Sequence, residues 1–155
     1  VKDVLLLNRA RGSGTFDAII IPYHSSQGAS VVGECERLLN QVAAPWMDFE
    51  VKEPKLRQLD ITLTVSFLPS ASNREADRQL IRSIINARIA NLPIENGSGA
   101  GSLYLSQLRS VVAGVSSSVV DASITGSLDD TPLTNTGEIK IGLGERIELR
   151  SLVIR

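Results

Sequence analysis

From Leu59 to Phe67 the chain alternates apolar and polar residues without a break. Leu59, Ile61, Leu63, Val65 and Phe67 fall on one side, and Asp60, Thr62, Thr64 and Ser66 on the other. A period of two predicts a strand with one face on a core. Ser72-Asn73-Arg74-Glu75 follows, the spacing of a capping box in which hydroxyl and carboxylate satisfy orphan amides at a helix start. The pattern then turns helical to about Leu92, with Ala76, Leu80, Ile81, Ile84, Ile85, Ile89 and Leu92 on the apolar side. Pro93 ends this helix, because the residue before a proline is pushed out of the α region. After the glycine-punctuated loop 95–101, Leu103 to Leu105 predicts a brief strand. Ser106 caps a short helix through Ala113, Gly114 terminates it, and Val115 to Thr125 reads as a strand.

The flanks carry the same signals. Val4 to Asn8 and Thr15 to Ile21 read as strands of a hairpin, joined across Gly12-Ser13-Gly14 and ended by Pro22. Ser30 is placed to cap a helix with Val31, Cys35, Leu38, Leu39 and Val42 in one stripe, closed by Pro45. Phe49 to Lys52 predicts a strand, interrupted at Pro54. Ile139 to Ile141 and Ile147 to Ile154 read as a final hairpin turning at 142–144. The expected fold is α+β: mostly antiparallel sheets with two longer helices and one short helix packed on them. Two small αβ subdomains are expected, 1–55 (hairpin, helix, strand) and 56–155 (strand, helix, glycine loop, short helix, strand, hairpin).

Composition narrows the function. At 155 residues, 43% hydrophobic, the chain can bury roughly two-thirds of its unfolded surface without a metal or disulfide staple. Sixteen basic and seventeen acidic residues leave a net charge of −1, which argues for neither nucleic acid nor an anionic membrane as partner. The single Cys35 rules out an internal disulfide and any multi-cysteine metal site, and its place in a helical stripe predicts a buried, inert thiol. No apolar run reaches the length of a membrane span. The chain opens at Val1 without a methionine, as a piece of a longer protein would.

Residues able to carry chemistry are scarce. His24, the only histidine, has Asp17, Ser25 and Ser26 nearby, but no nucleophile-elbow pattern surrounds any serine, so it reads as an exposed loop residue. Gly97-Ser98-Gly99-Ala100-Gly101 suggests a phosphate cradle, yet a helix and Pro93 precede it where a strand is required. Gly12-Ser13-Gly14-Thr15 lacks the lysine of a P-loop and leads into a strand. Both read as connectors. Asp129-Asp130 lacks the alternating oxygens and distal glutamate of a calcium loop and reads as a solvated turn. Arg74, Arg78 and Arg82, spaced by four, share one side of a helix and are the candidate contact residues for a protein partner. Open sheet edges are equally natural docking sites. No catalytic, cofactor-binding or metal-binding residue is assigned, and no enzymatic activity is expected.

With these elements in place, the chain resembles the baseplate J-like family of contractile-tail phages, similar to Mu- and P2-type wedge proteins and more distantly to the T4-type wedge subunit. Three stretches carry the likeness. Arg11-Gly12-Ser13-Gly14-Thr15-Phe16-Asp17 leads into Ala18-Ile19-Ile20-Ile21. Val51-Lys52-Glu53-Pro54 precedes the alternating strand and capped helix. Leu92-Pro93-Ile94 runs through the glycine loop to Tyr104-Leu105-Ser106-Gln107-Leu108 and Val112-Ala113-Gly114-Val115. The likeness spans about Arg9 to the C-terminus and rests on small residues and apolar patterning. It implies structural work: joining neighbouring wedge subunits around the tail hub and helping to transmit the rearrangement that triggers sheath contraction. The implied partners are other baseplate and tail proteins, in a homo- or hetero-oligomer, without nucleic acid, membrane or small-molecule substrate. The implied location is the phage tail baseplate, with the host cytoplasm during assembly. Two alternatives stand beside it: an unrelated α+β ligand-binding or regulatory module with a pocket near His24 and Gly97, and a hydrolase using His24 or Asp17.

Overall fold

The structure, a computed structural model, describes residues 1–8, 10–23, 27–133 and 137–155. The first third of the chain builds a three-stranded sheet in the order β1-β2-β3, from Asp3–Asn8, Thr15–Ile21 and Asp48–Lys52. β1 and β2 form the expected antiparallel hairpin. β2 and β3 run parallel, joined through helix α1 (Gly28–Val42). Ala18, Ile20 and Val51 meet Val31, Val32, Cys35, Leu39 and Phe49 on the α1 face. The rings of Phe16 and Phe49 stack at 5.6 Å between centroids.

Across Glu53-Pro54 the chain passes into a second sheet, of order β7-β6-β4-β9. Its members are β4 (Lys55–Phe67), β6 (Val119–Leu128), β7 (Thr131–Pro132) and β9 (Glu145–Ile154). β4 shows the alternation expected of it, since Leu59, Ile61, Leu63 and Val65 are all buried. Helix α2 (Arg74–Ala90) covers that face with Ile81, Ile85 and Ile89, and α3 (Leu105–Ala113) with Leu105, Leu108 and Val112. Each such side chain removed from water contributes roughly 1.5–3 kcal/mol. β5 (Leu103–Tyr104) pairs with β8 (Glu138–Ile139). A third cluster, Ile19, Ile21 and Ile94 with Leu5 and Leu7, fills the face of the small sheet opposite α1. The pairings β1–β2, β4–β6, β5–β8 and β6–β7 are antiparallel, so the fold is α+β with antiparallel-rich sheets.

Several local expectations are corrected. Ile139 does not open a hairpin with β9. It pairs with Leu103, and β9 runs parallel to β4. Period-two patterning identifies a strand but not its partner. The polar groups of the 142–144 turn bond to Glu95 and Glu145, which sends the two strands into different sheets. β9 also changes phase: a bulge opposite Leu59/Asp60 leaves Arg150 unpaired in the register. The capping box at Ser72–Glu75 does not form. Asn73 holds the cap position without a side-chain bond, and the Glu75 carboxylate accepts from Gln79 instead. Likewise α1 starts at Gly28, ahead of Ser30, with Gln27 at the cap. Within the stripe of α1, Leu38 and Val42 are exposed and Cys35 is only half-buried, because the small sheet beneath is narrow.

Candidate functional site

The arginine row on α2 turns back onto its own fold. Arg74 Nη2 donates to the carbonyls of Leu68 and Pro69, each at 3.1 Å. The Arg78 guanidinium lies 5.7 Å from the centroid of the Phe67 ring, a cation–π contact. Arg82 Nη1 donates to the Leu152 carbonyl on β9 at 3.1 Å. All three share one helix side: Arg78 and Arg82 help to seat α2 on the large sheet, and Arg74 ties its first turn to the loop after β4.

His24, Ser25 and Ser26 lie outside the described residues. Asp17, weighed with His24 as a catalytic acid or base, is 3% exposed on β2. It accepts from Lys52 Nζ at 2.6 Å and from Arg11 Nε at 3.0 Å. The Lys52 bond, then that of Arg11, outweighs burial and holds the Asp17 carboxyl below its ordinary range. Arg11 also reaches Asp48 at 2.8 Å, which clamps the β1–β2 connection onto β3.

The glycine loop is already filled. Glu95, 4% exposed, turns its carboxylate into the loop that follows it. Its Oε1 accepts from the amides of Gly97 and Gly99 at 2.7 and 2.9 Å, and its Oε2 from that of Gly101 at 2.9 Å. Positive φ at Gly97 and Gly99, +89° and +82°, aims these amides inward as an anion nest. Burial pushes the Glu95 carboxyl up, and the amides of Gly99, Gly101 and Gly97 more than offset it, leaving it below the ordinary value. A phosphate-cradle geometry is present, and the chain's own carboxylate occupies it. The spacing Glu-x-Gly-x-Gly-x-Gly is the sequence signal that would have revealed this.

The Asp129-Asp130 turn is more than a solvated bend. Positive φ at both residues, +47° and +66°, makes a tight two-residue hairpin between β6 and β7. Asp129 accepts from the Gln58 amide at 2.8 Å and from Arg57. Arg57 also reaches Glu145 at 3.0 Å. Arg150 binds Asp60 through Nε at 3.0 and 3.1 Å and also grips Asp130. Asp60 first, then Asp130, raises the Arg150 pKa. No sequence signal pointed to these clamps, since their partners lie up to 90 positions apart. Among the described residues no cluster of His, Cys, Asp or Glu suits a metal ion, and no described helix is long and apolar enough to cross a membrane.

Two features face outward. β1 is an edge strand whose Val4 and Leu6 share the α1 side with Ile20 and Ala18, yet stay 48% and 61% exposed. Leu38 and Val42 of α1, and Trp46 beyond it, are also exposed. Elsewhere, a cleft of about 440 Å³ opens where the end of β2, the last turns of α2 and the start of β9 meet. Ile21, Leu56, Ile89 and Tyr23 line it. Lys2 Nζ and Arg146 Nη2 both donate to the Ala90 carbonyl beside it, at 2.7 and 2.8 Å.

No protein-family model and no curated protein matches the chain. Among solved structures, its fold is similar to that of a chain in the cryo-EM structure of the anti-feeding prophage (AFP) baseplate, 6-fold symmetrised. The TM-score is 0.54 at 12% identity, covering 87% of this chain and 29% of that one. The present chain therefore spans less than a third of that neighbour's length. At this identity the likeness is one of fold.

Proposed function

We propose that the chain is a structural component of a contractile-tail baseplate, a wedge protein of the J-like kind, whose task is to hold neighbouring tail proteins in place without catalysing a reaction. The observation that carries this reading is the fold shared with an AFP baseplate chain over 87% of the present one. The character of its polar groups agrees with it. Asp17, Asp60, Glu95, Asp129 and Glu145 are all held ionised by cations or backbone amides that tie strands, turns and loops together. A carboxylate whose pKa is lowered by fixed partners is suited to clamping rather than to exchanging protons near neutral pH.

The partners in this reading are other baseplate proteins. The contact surfaces are the exposed apolar residues Val4, Leu6, Leu38, Val42 and Trp46, together with the outward parts of Arg74, Arg78 and Arg82 on α2. Its location is the baseplate of the particle, reached by assembly in the host cytoplasm. The test is to purify contractile particles from the source cells and identify their subunits by mass spectrometry and cryo-EM. Density for this fold near the tail hub is expected, and particles complete without it would sink the proposal.

A second reading, a ligand-binding α+β module, has the 440 Å³ cleft in its favour, since that volume suits a small molecule. A ligand screen followed by thermal shift discriminates the two. Saturable stabilisation that Leu56→Trp abolishes would favour the module.

A further inference from the structure

We propose that Glu95 is a latch: its carboxylate, seated in the nest of Gly97, Gly99 and Gly101, fixes the segment that fastens the small sheet to the large one. Three observations meet at this segment. Ile94 is buried between Ile19 and Ile21 of β2, on the face of the small sheet that α1 does not cover. The Glu95 backbone bonds in both directions to the start of β9: its N–H donates to the Glu145 carbonyl at 3.0 Å, and the Gly144 N–H donates to its carbonyl at 2.8 Å. Finally, the Glu95 side chain ties the loop after it into a closed ring of three amide bonds.

The approach is too close for larger residues. A Cβ on Gly101 would lie 2.9 Å from the Glu95 nitrogen, and one on Gly144 would lie 2.5 Å from Ile19 Cδ1. Backbone, side chain and neighbouring turn are therefore fitted around one carboxylate. Among the described residues no Lys or Arg forms an ion pair with it, so the amides supply its compensation. A buried charge held only by backbone dipoles makes their geometry depend on the charge itself. Removing the anion leaves three inward-facing amides without an acceptor, and the loop must open to hydrate them. The joint at Ile94 then loses its support from the C-terminal side.

The test uses hydrogen exchange on the full chain with Glu95→Ala and Glu95→Gln. In Glu95→Ala, the amides of Gly97, Gly99, Gly101 and Gly144 should exchange about ten- to a hundredfold faster, the range for losing bonds to a charged acceptor. β1 and β2 should also lose protection at a lower urea concentration than β4. Acetate or formate should refill the vacated nest, restoring protection saturably in Glu95→Ala but changing nothing in the parent chain. Glu95→Gln keeps the shape with one acceptor oxygen and no charge, and should fall between the two. The proposal is overturned if Glu95→Gln retains full protection, or if exchange in Glu95→Ala rises without any response to acetate or formate. If Glu95→Ala fails to fold even with acetate, the exchange profile of Glu95→Gln decides alone.

Discussion

Arg82 on α2 donates to the carbonyl of Leu152 on β9 at 3.1 Å. Arg155 bonds to β4 through both its N–H and its C=O, so Leu152, three residues earlier, directs its carbonyl away from β4. The arginine thus occupies an acceptor on the outer edge of the large sheet and fastens the helix to it. Arg82→Ala should lower stability by about 1 kcal/mol, the usual net value of such a bond. Urea denaturation reads this directly, and Arg82→Lys should recover part of the loss. An unchanged midpoint for Arg82→Ala would mean that water replaces the guanidinium at no cost.

Ile85 sits at the centre of the α2 face that meets β4, fully buried with Ile81 and Ile89. Ile85→Ala should cost about 2–5 kcal/mol, the transfer and cavity terms together. Leu80, on the same helix but exposed, provides the control: Leu80→Ala should stay within about 0.5 kcal/mol.

Two glycines should respond in opposite senses to alanine. Gly144 has φ +77°, and an added Cβ would meet Ile19 Cδ1. Gly144→Ala should therefore destabilise by about 1–3 kcal/mol, from backbone strain and crowding. Gly33 lies inside α1 with nothing within 4 Å of its missing Cβ, so Gly33→Ala should stabilise by about 0.5–1 kcal/mol. Thermal melts of both variants check the pair.

Stability should fall in acid. Lys52, then Arg11, lowers the Asp17 pKa from 3.8, and backbone amides overcome burial to lower that of Glu95 from 4.5. A carboxyl whose folded pKa is depressed binds fewer protons when folded. Its contribution is present above the unfolded pKa and disappears as pH falls through the folded one. The urea midpoint should be flat from about pH 8 to 5 and drop below about pH 4.5. Asp17→Asn should start lower at neutral pH and show a shallower acid decline. Parallel curves for variant and parent would remove Asp17 from this account.

The alternation of β4 and the Ile81, Ile85 and Ile89 stripe of α2 were legible because burial at period two or 3.6 writes itself into adjacent positions, whereas Ala76 and Leu80, expected on the same side, are exposed. So were the β1–β2 hairpin and the α+β class. Strand partnership was not, as Ile139 and β9 show: the residues that decide it, Glu95 and Glu145 with the 142–144 turn, act through backbone bonds across some fifty positions. The arginine row was visible as a row, but its inward direction depends on where Phe67 and Leu152 arrive in space. Glu95 lay in plain view before its glycines. A glycine nest takes an internal anion as readily as an external one, and nothing in the spacing of the glycines alone distinguishes the two.

The parallel pairing of β4 with β9 also bears on how the chain is made. Leu63 finds its partner in Ile154, so the β9 side of β4 stays vacant until the end of this sequence has been synthesised. At about 5–20 residues per second, that wait is on the order of 5–20 s. For most of it β6 is also still to be made, so an alternating strand of Leu, Ile and Val has open ladders on both sides at first and on the β9 side to the end. The nascent chain is then most exposed to pairing with a stranger, and α2, translated earlier and already able to cover the apolar face, is the element that shields it.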